Sequence, residues 1–426
     1  MTPYILNRWP RFDNFVALFT TKLGKPAQRH FIALIIAFII YDGRKNIASL
    51  NRAMFAPSHT SSLWRFIGES DWDEQDFEQT RLNELNRRVR RYLETYRAKG
   101  QNVPAFLCID DTNNPKTGTK TPWASYQYSH LAGRLVRCSC LVTAVLVVGP
   151  YAIPSSFQLY RKKDECLKAE GQSPAEYMAK TELAVRLIKG WQPPLGTQPF
   201  VLADSWYVCD ELFTICKERS FTLIGGLKAN RLISTTACPK LTALSALAPL
   251  FPKEAYQVVT LGKQTFHLDG VEALLKGGQL VKVVIGRPPQ IGYKPSAGIK
   301  HYTYRYFVSS DPSLPVKTIS EFYAVRWEIE TFHASAKELF GLDHNQCWRE
   351  RNIWRMWTLL LIAYSYILLE AVEHCADYAK AALHQVSLGQ VVAWHKLQTH
   401  RGQGEWVYQQ ALAGQPLEVV LAQIAA

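Results

Sequence analysis

Residues 321–337 read EFYAVRWEIETFHASAK and carry the most informative pattern in the chain. Arg326, Glu330 and Lys337 follow Tyr323 by 3, 7 and 14 residues. On a helix this spacing places all four side chains within about 60° of one another. One helix face would then present a phenol, a guanidinium, a carboxylate and an ammonium. Three of these groups are natural phosphate contacts and the carboxylate can hold a metal ion, so the pattern predicts an active-site face.

The residues around this stretch support a helix. Thr318 and Glu321 form a T-x-x-E capping box, which predicts a helix start there. No Gly or Pro follows before Leu339, and Gly341 is a suitable C-cap. A separate apolar face recurs at spacings of 3 and 4, at Phe322, Val325, Ile329, Phe332 and Ala336. The alternative interpretation is an amphipathic helix whose charges merely pair at i,i+4.

Acidic residues follow two strand-like segments upstream of this helix. Asp110 and Asp111 follow the first such segment, and Asp204 follows the fourth. The predicted elements run strand 105–109, strand 135–148, strand 152–159, helix 173–189, strand 200–203, helix around 213–215 and strand 221–227. This is the order of an α/β RNase H-like core, a mixed five-stranded sheet flanked by helices.

The sequence divides into four predicted segments. Residues 1–100 are predicted to be helical, and an RNase H-like core is predicted at 101–232 and 316–372. The resemblance described below implies that the first is a DNA-binding domain and the second the catalytic core. A β-rich insertion takes up 233–315, with strand-like runs at 257–260, 280–285 and 302–309. Residues 373–426 are predicted to form a helical C-terminal region.

The pattern Y-x2-R-x3-E-x6-K resembles the YREK signature of a large group of insertion-sequence DDE transposases. The resemblance implies that Asp110, Asp204 and Glu330 are catalytic and bind two divalent cations, Mg²⁺ or Mn²⁺. Two ions about 3.5–4 Å apart can hold both oxygens of an in-line phosphoryl transfer, and carboxylate oxygens suit them. Neighbouring strand side chains face opposite ways, so only one residue of the Asp110-Asp111 pair can serve. The D-D-T tripeptide resembles the family's D-x-T, which favours Asp110 and leaves Asp111 as the alternative.

The same resemblance implies a set of DNA contacts. It implies that Tyr323, Arg326 and Lys337 bind phosphates of the transposon end. From their position in the loop after Asp110, Lys116 and Lys120 are also predicted to contact backbone phosphate. Trp327 either stacks beside them or packs in the core. His333 lies one turn beyond Glu330 and is predicted to be structural or to support the metal site rather than to bind the ion directly.

Aromatic residues of the insertion bear on how a DNA end is processed. Relatives that cut through a hairpinned DNA end stack a flipped base on a tryptophan of the insertion. This sequence has no tryptophan between Tyr207 and Arg326. Other aromatic faces can stack a base, and the candidates are Tyr256, Phe266, Tyr293, Tyr302 and Tyr304. The hairpin route is therefore left open.

Composition indicates a basic protein of a reducing compartment. The net charge of +13 favours an acidic polymer as partner. The nine cysteines are an odd number with no C-x2-C pair, so we expect reduced, mostly buried thiols. The apolar runs 31–41 and 357–369 are shorter than a bilayer span and predict buried helices. We expect no membrane association and a cytoplasmic, nucleoid-associated location.

These features predict a cut-and-paste DNA transposase that acts on double-stranded DNA as a homodimer. Two alternatives were weighed against it. A stand-alone RNase H-like nuclease needs the metal site but neither the YREK helix nor the insertion. An inactive, transposase-derived DNA-binding protein would be expected to have lost a carboxylate or part of the YREK pattern, and both are present.

Overall fold

A computed structural model describes residues 9–425, except 53, 55–58, 119–120, 122, 130–132, 164–165, 167–176, 262–263, 288–303 and 375–385. The chain divides into two units. The first comprises Met1–Arg91, Asn113–Ser139 and Phe332–Ala426, and the second comprises Tyr92–Thr112 and Cys140–Thr331. These units cross the boundaries predicted from the sequence. The four predicted segments, as functional parts, stay a prediction.

Helices from both ends of the chain build the first unit. The N-terminal helices are α1 (Pro10–Thr20), α2 (Lys25–Ile40), α3 (Ile47–Arg52), α4 (Thr60–Gly68) and α5 (Glu74–Arg97). The C-terminal helices are α11 (Glu350–Glu373), α12 (Leu388–Leu412) and α13 (Leu417–Ala425). Prolines in the first turns of α1 and α2 suit helix starts because the ring presets φ. A capping box at Ser387 and Gln390 starts α12.

Buried polar contacts join the N-terminal helices to α11. The fully buried guanidinium of Arg355 donates to the carbonyls of Ile67 and Trp72. Arg81 is also fully buried, and its Nη1 donates to Ser365 Oγ over 2.9 Å. A buried charge is costly unless it is paired and hydrogen-bonded, and these contacts supply part of that compensation. Within the first unit, the described N-terminal helices therefore share one core with the C-terminal helices.

Helix α11 is the one described helix long and apolar enough to cross a membrane. Of its most apolar window, 89% is buried inside the protein. The run Phe31 to Ile39 of α2 is buried as well. Both apolar runs are thus interior helices, as predicted. The cysteines in the described part of the chain are free thiols, and most are buried.

One mixed sheet contains the described strands, most of which belong to the second unit. The strands are β1 (Val103–Pro115), β2 (Ser125–Ser129), β3 (Arg134–Val148), β4 (Tyr151–Tyr160), β5 (Thr197–Ala203), β6 (Thr222–Gly226), β7 (Leu232–Ser234), β8 (Thr242–Ala243), β9 (Gln257–Leu261), β10 (Gln264–Leu275), β11 (Leu280–Arg287) and β12 (Arg305–Ser309). The order β4-β3-β1-β5-β6 is the RNase H-like core, with antiparallel β3–β4 and parallel β1–β5 and β5–β6. The predicted fold class is confirmed. Strand β2, which was not predicted, pairs with the first residues of β3 inside the first unit.

Short helices connect several strands of the second unit. They are α6 (Lys180–Gly190), α7 (Asp210–Glu218), α8 (Leu244–Leu247) and two 3₁₀ turns at Ala248–Leu250 and Lys253–Ala255. The predicted start of α6, Ser173-Pro174, lies outside the described residues.

The insertion extends the core sheet instead of forming a separate layer. Strand β12 pairs antiparallel with β6, and β11 and β10 follow it outward. The five predicted core strands are therefore continued by strands of the predicted β-rich insertion. Strand β10 was missed because Asp269-Gly270 has the composition of a turn. A Cβ at Gly270 would collide with Val316, so the glycine permits close packing of the strand against the next helix.

The helix of the YREK pattern is divided at Arg326. Helix α9 spans Val316–Val325 and α10 spans Trp327–Glu338. At the break, the Arg326 N–H donates to Tyr323 and the Ile329 N–H donates to Arg326, both to residues three positions earlier. Such 3₁₀ tightening inside a helix often marks a functional position. The prediction of one uninterrupted helix was wrong at this point.

The ends of the α9–α10 segment were predicted with mixed success. The helix starts after Pro315, whose fixed φ of −62° suits the N-cap, so the predicted start at Thr318 was wrong. Gly341 ends the segment with φ of +72°, as predicted. The N–H groups of Gly341 and Leu342 return to the carbonyls of Lys337 and Ala336.

A buried histidine makes the first unit sensitive to acid. Burial, aided by Arg11, lowers the pKa of His395 from 6.5 to about 3. The folded protein holds the neutral ring, while the unfolded chain takes up a proton below pH 6.5. Stability is therefore lost as pH falls from about 6.5 towards 3. We expect unfolding free energy to drop by about 2 kcal/mol between pH 7 and pH 5 through this residue.

Urea unfolding at both pH values measures this effect. The variant His395→Gln carries no titrating ring and should lose about 2 kcal/mol less between the two pH values than the wild type does. Equal pH dependence in the two proteins would contradict the assignment.

Candidate active site

Two aspartates lie side by side at the carboxyl edge of the core sheet. Strands β1 and β5 run parallel, with Ile109 opposite Ala203. Asp110, which lies within β1, and Asp204, which directly follows β5, are the next residues along the two strands, so they lie at the same level of the sheet. Strand β1 continues to Pro115, so the predicted strand end at residue 109 was wrong. Neighbouring strands are about 4.8 Å apart. Parallel pairing thus brings together two carboxylates separated by almost a hundred positions in sequence.

The segment that carries Arg326 is anchored on these same strands. Phe322 of α9 packs edge-to-face on Phe106 of β1 and on Phe200 of β5, with ring centroids 5.0 and 4.8 Å apart. Such aromatic pairs add stability beyond their buried area. Because Phe322 is held against the strands, Tyr323 and Arg326 are delivered to the strand ends.

Arg326 bridges Asp110 and Glu330. Its Nη1 lies 3.2 Å from Asp110 Oδ2, and its Nη2 lies 2.6 Å from Glu330 Oε1. The guanidinium carbon also sits 5.6 Å from the centre of the Tyr323 ring. The alternative interpretation, a helix whose charges pair at i,i+4, explains the contact of Arg326 with Glu330. The contact with Asp110 goes beyond it and connects the helix to the sheet.

Negative charge is concentrated around Asp110. Burial raises the pKa of this carboxyl to about 7, and the nearby charges of Asp204 and Asp111 act in the same direction. The Asp111 N–H, which donates to Asp110 Oδ1 over 2.8 Å, and Arg326 oppose the rise. A carboxyl in this position is ionised more readily when a further positive charge is brought near.

Asp111 faces a different set of partners. Its Oδ2 accepts a 2.7 Å contact from Lys180, and its Oδ1 accepts a 2.9 Å hydrogen bond from the Tyr207 hydroxyl. The Cys140 thiol lies 3.4 Å from Oδ2. Neighbouring side chains of a strand alternate in direction, so Asp110 and Asp111 divide the two faces between them. Of the pair, only Asp110 makes the contact with Arg326.

Asp204 combines two hydrogen bonds with its place at the sheet edge. Its Oδ1 accepts from the backbone N–H groups of Trp206 and Tyr207, at 2.9 and 3.1 Å. The aspartate therefore caps the turn that follows β5, as single aspartates after strands often do. Both of these hydrogen bonds go to Oδ1.

The three carboxylates are gathered but not closed into a cage. Across the described ranges, no three His, Cys, Asp or Glu side chains come close enough to hold one ion. Arg326 contacts both Asp110 and Glu330 instead. The donor set fits Mg²⁺ or Mn²⁺, because both prefer carboxylate oxygen and water. The raised pKa of Asp110 is also consistent with a place that favours added positive charge.

The predicted lysine contacts have internal partners. Lys337 lies on α10 and donates to the Asn113 carbonyl over 2.9 Å. Lys116 donates to the carbonyls of Asp343 and Asn345, each over 2.8 Å, and burial lowers its pKa to about 8. Lys120 lies outside the described residues. Phosphate binding by these lysines stays a prediction.

Aromatic rings surround a cavity of about 580 Å³ next to Arg326. Its aromatic lining residues are Tyr304, Tyr306, Phe307, Tyr323 and Trp327. Trp327 is 63% exposed, so it is not a core residue. Of the aromatic candidates named from sequence, Tyr304 lies here, Tyr256 is buried elsewhere, and Tyr293 and Tyr302 lie outside the described residues. Tyr306 and Phe307 were missed, although the alternation YTYRYF at 302–307 was a usable signal.

His333 is buried beside Phe332 in the first unit, with ring centroids 5.5 Å apart. The burial agrees with the structural role that we favoured.

An RNase H-like sheet with aspartates at the same level of two adjacent parallel strands, together with a helical glutamate, defines the class of DDE phosphotransferases. The family model described as DDE superfamily endonuclease matches residues 18–240, more than half of the chain. A second model, described as transposase DDE domain, matches residues 175–366. The chain belongs to the DDE superfamily of endonucleases.

One similar protein is named after an insertion sequence element. The chain is 24% identical over 288 residues to the probable transposase for insertion sequence element IS701 of Microchaete diplosiphon. The match covers 66% of this chain and 66% of the relative's length.

The different partners of Asp110 and Asp111 give a paired prediction. We expect Asp110→Asn to reduce metal-dependent DNA cleavage at least about a hundredfold while leaving the melting temperature nearly unchanged. We expect Asp111→Asn to lower stability by about 1–3 kcal/mol, because Lys180 would lose its buried partner. Thermal melts and cleavage rates at a temperature below both melting points measure the two effects.

The opposite pattern would contradict the assignment. If Asp111→Asn abolished cleavage in a fully folded protein while Asp110→Asn cleaved normally, Asp111 would be the catalytic residue of the pair.

Proposed function

We propose that this chain is a DNA transposase that cuts an insertion-sequence element at its ends and joins the 3′-OH ends to target DNA. The observation that carries the proposal is the bridge from Arg326 to Asp110 and Glu330, at the sheet edge that also bears Asp204. Membership of the DDE superfamily supports metal-dependent phosphoryl transfer. The insertion-sequence name of the relative supports a mobile element as the substrate.

Asp110, Asp204 and Glu330 are the residues that would hold two divalent cations, Mg²⁺ or Mn²⁺. When bound, such ions act as Lewis acids and stabilise charge on the attacking and leaving oxygens. The carboxylates supply the negative charge that this needs, and burial of Asp110 strengthens every electrostatic interaction around it.

Arg326 is placed to exchange carboxylate partners for phosphate. Its planar fork already engages two oxyanions, and a phosphate presents the same bidentate geometry. The Tyr323 hydroxyl lies beside it and can donate to the same phosphate group. Lys337 and Lys116 are proposed as further contacts to the DNA backbone.

The aromatic cavity beside Arg326 offers stacking faces for an unpaired base at the cut. Tyr304 and the exposed Trp327 line it together with Arg326. Base stacking on aromatic rings tolerates any sequence because every base has a π-face. The cavity therefore suits a strand end that is displaced from its duplex.

Two transposon ends need two active sites, so we propose a homodimer assembled on double-stranded DNA. The helical N-terminal hundred residues are proposed to recognise the element ends, and the location is cytoplasmic, on the nucleoid. Arg87 and Arg88 are tied to Glu84, and Arg88 also to Glu373. DNA contact from α5 would therefore fall to other basic residues, such as the exposed Arg90 and Arg91.

Cleavage of labelled DNA that carries the native element ends, with Mg²⁺, tests the proposal. We expect wild type to nick and join the ends, and Glu330→Gln and Asp204→Asn each to lose at least about a hundredfold in rate. Both variants should keep their DNA affinity, because each substitution removes one negative charge and leaves the shape of the side chain nearly unchanged. Glu338→Gln is the matched control, since this exposed glutamate lies on the same helix, and it should cleave at the wild-type rate.

Each other outcome has a defined meaning. Equal cleavage in wild type and both carboxylate variants would overturn the site. Cleavage without joining would support the nuclease alternative, and DNA binding without cleavage would support the inactive, DNA-binding alternative. Calorimetric titration with Mn²⁺ should show weaker binding to Glu330→Gln than to Glu338→Gln.

A further inference from the structure

The first unit contains a groove of about 890 Å³ that plays no part in the acidic site. Helix α4 forms one wall, the segment after β1 forms the second, and the loop before α11 forms the third. Its volume lies in the range of binding pockets for organic ligands. The residues around it decide what kind of ligand it suits.

Positive charge dominates the lining of the groove. Arg44, Arg65 and Arg349 are exposed and contribute to the lining, together with Lys116. Glu69 is the one acidic side chain of the lining. Four cationic groups against one carboxylate favour an anionic ligand. Because the arginines come from three different segments of the sequence, this basic character is created by the fold.

Two tryptophans line the same groove. Trp64 is 39% exposed and Trp348 is 67% exposed. On α4 the neighbouring Leu63, Phe66 and Ile67 are buried, so the core takes those side chains and Trp64 faces the groove. Large exposed indole rings are unusual on a solvated basic surface, and they are a frequent feature of binding sites.

The groove is held in shape by hydrogen bonds. Lys116 Nζ donates to the carbonyls of Asp343 and Asn345, which ties the segment after β1 to the loop before α11. Arg137 donates to the Gly118 and Thr121 carbonyls and fixes the far part of the same segment. A rigid wall loses little entropy when a ligand binds.

We propose that this groove is a second nucleic-acid site, which binds a short unpaired stretch of DNA strand. Phosphates would pair with the three arginines, and bases would stack on Trp64 and Trp348. A positively charged groove with interspersed aromatic faces is the general arrangement for single strands, and bases inside a duplex do not present their faces to an indole. The inference rests on the proposed function only in that it takes DNA to be the substrate.

Fluorescence anisotropy with a labelled oligothymidylate, without divalent metal, tests the groove directly. We expect the double variant Trp64→Ala/Trp348→Ala to bind at least about tenfold more weakly than wild type. Trp64→Tyr/Trp348→Tyr keeps aromatic faces and should retain most of the affinity. Arg65→Gln/Arg349→Gln should lower the slope of log affinity against log salt by about 0.7 for each lost contact.

The matched control removes similar groups outside the groove. Tyr408 is 62% exposed and Arg401 is exposed on α12, so Tyr408→Ala/Arg401→Gln should bind like wild type. Far-UV circular dichroism and melting temperature should be the same for all four double variants and wild type, because the replaced side chains are exposed or line the open groove.

The opposing results are equally specific. The proposal would be overturned if wild type did not bind the oligothymidylate. It would also be overturned if Trp64→Ala/Trp348→Ala and Arg65→Gln/Arg349→Gln both bound it like wild type. Equal losses for the oligothymidylate and for a blunt duplex would overturn the assignment to unpaired strands. The assay involves neither cleavage nor metal, so failure here is distinguishable from failure of the transposase proposal, which the Glu330→Gln cleavage comparison measures.

Discussion

The parallel pairing of β1 with β5 is the constraint on which the rest of the site depends. Ile109 and Ala203 are held in register in the interior of the sheet, and both are completely buried. The following aspartates must therefore emerge together. A slip of one residue in this register would turn one of the two aspartates to the opposite face of the sheet. The buried apolar strands, rather than the acidic residues themselves, determine that two carboxylates meet.

Bringing like charges together at a partly buried edge costs energy, and the structure offsets this cost with one arginine. Arg326 contacts Asp110 and Glu330, and the aromatic cluster of Phe106, Phe200 and Phe322 holds the segment that delivers it. The pKa of Asp110 is still raised to about 7, so the compensation is incomplete. An incompletely compensated cluster of carboxylates is well suited to bind cations, and an arginine that already holds oxyanions is well suited to accept phosphate.

The first unit builds one core from segments near both ends of the chain. Buried arginines in α5 and α11 donate to groups on the other segment, so these contacts stabilise the packing of the N-terminal helices on the C-terminal ones. The tryptophan-lined groove is formed by residues of four separated segments. The proposed DNA chemistry and the proposed single-strand contact thus rest on different features: a cluster of charges in the sheet of one unit, and a basic, aromatic groove in the other.

Local sequence determined much of this protein. Three features rest on periodicity and backbone preference within a few residues. They are the buried apolar runs followed by aspartate, the Y-x2-R-x3-E-x6-K spacing and the C-cap at Gly341. Strand alternation predicted that only one of Asp110 and Asp111 can serve, and the preference for Asp110 came from the resemblance of D-D-T to D-x-T. The partners of the two residues were not readable. The division of the helix at Arg326 and the start at Pro315 were not readable, since tertiary packing shifts helix ends and tightens single turns.

Only the tertiary structure decided which distant residues meet. Strand β10 is part of the extended sheet although Asp269-Gly270 has the composition of a turn. The glycine is needed there because a side chain at position 270 would collide with Val316. Lys116, predicted from its loop position to touch DNA, received two backbone carbonyls as partners. Arg65, Trp348 and Arg349 converged on one groove although no sequence pattern links them. Such contacts depend on chain reversal and long-range burial, and single-sequence periodicity carries no record of either.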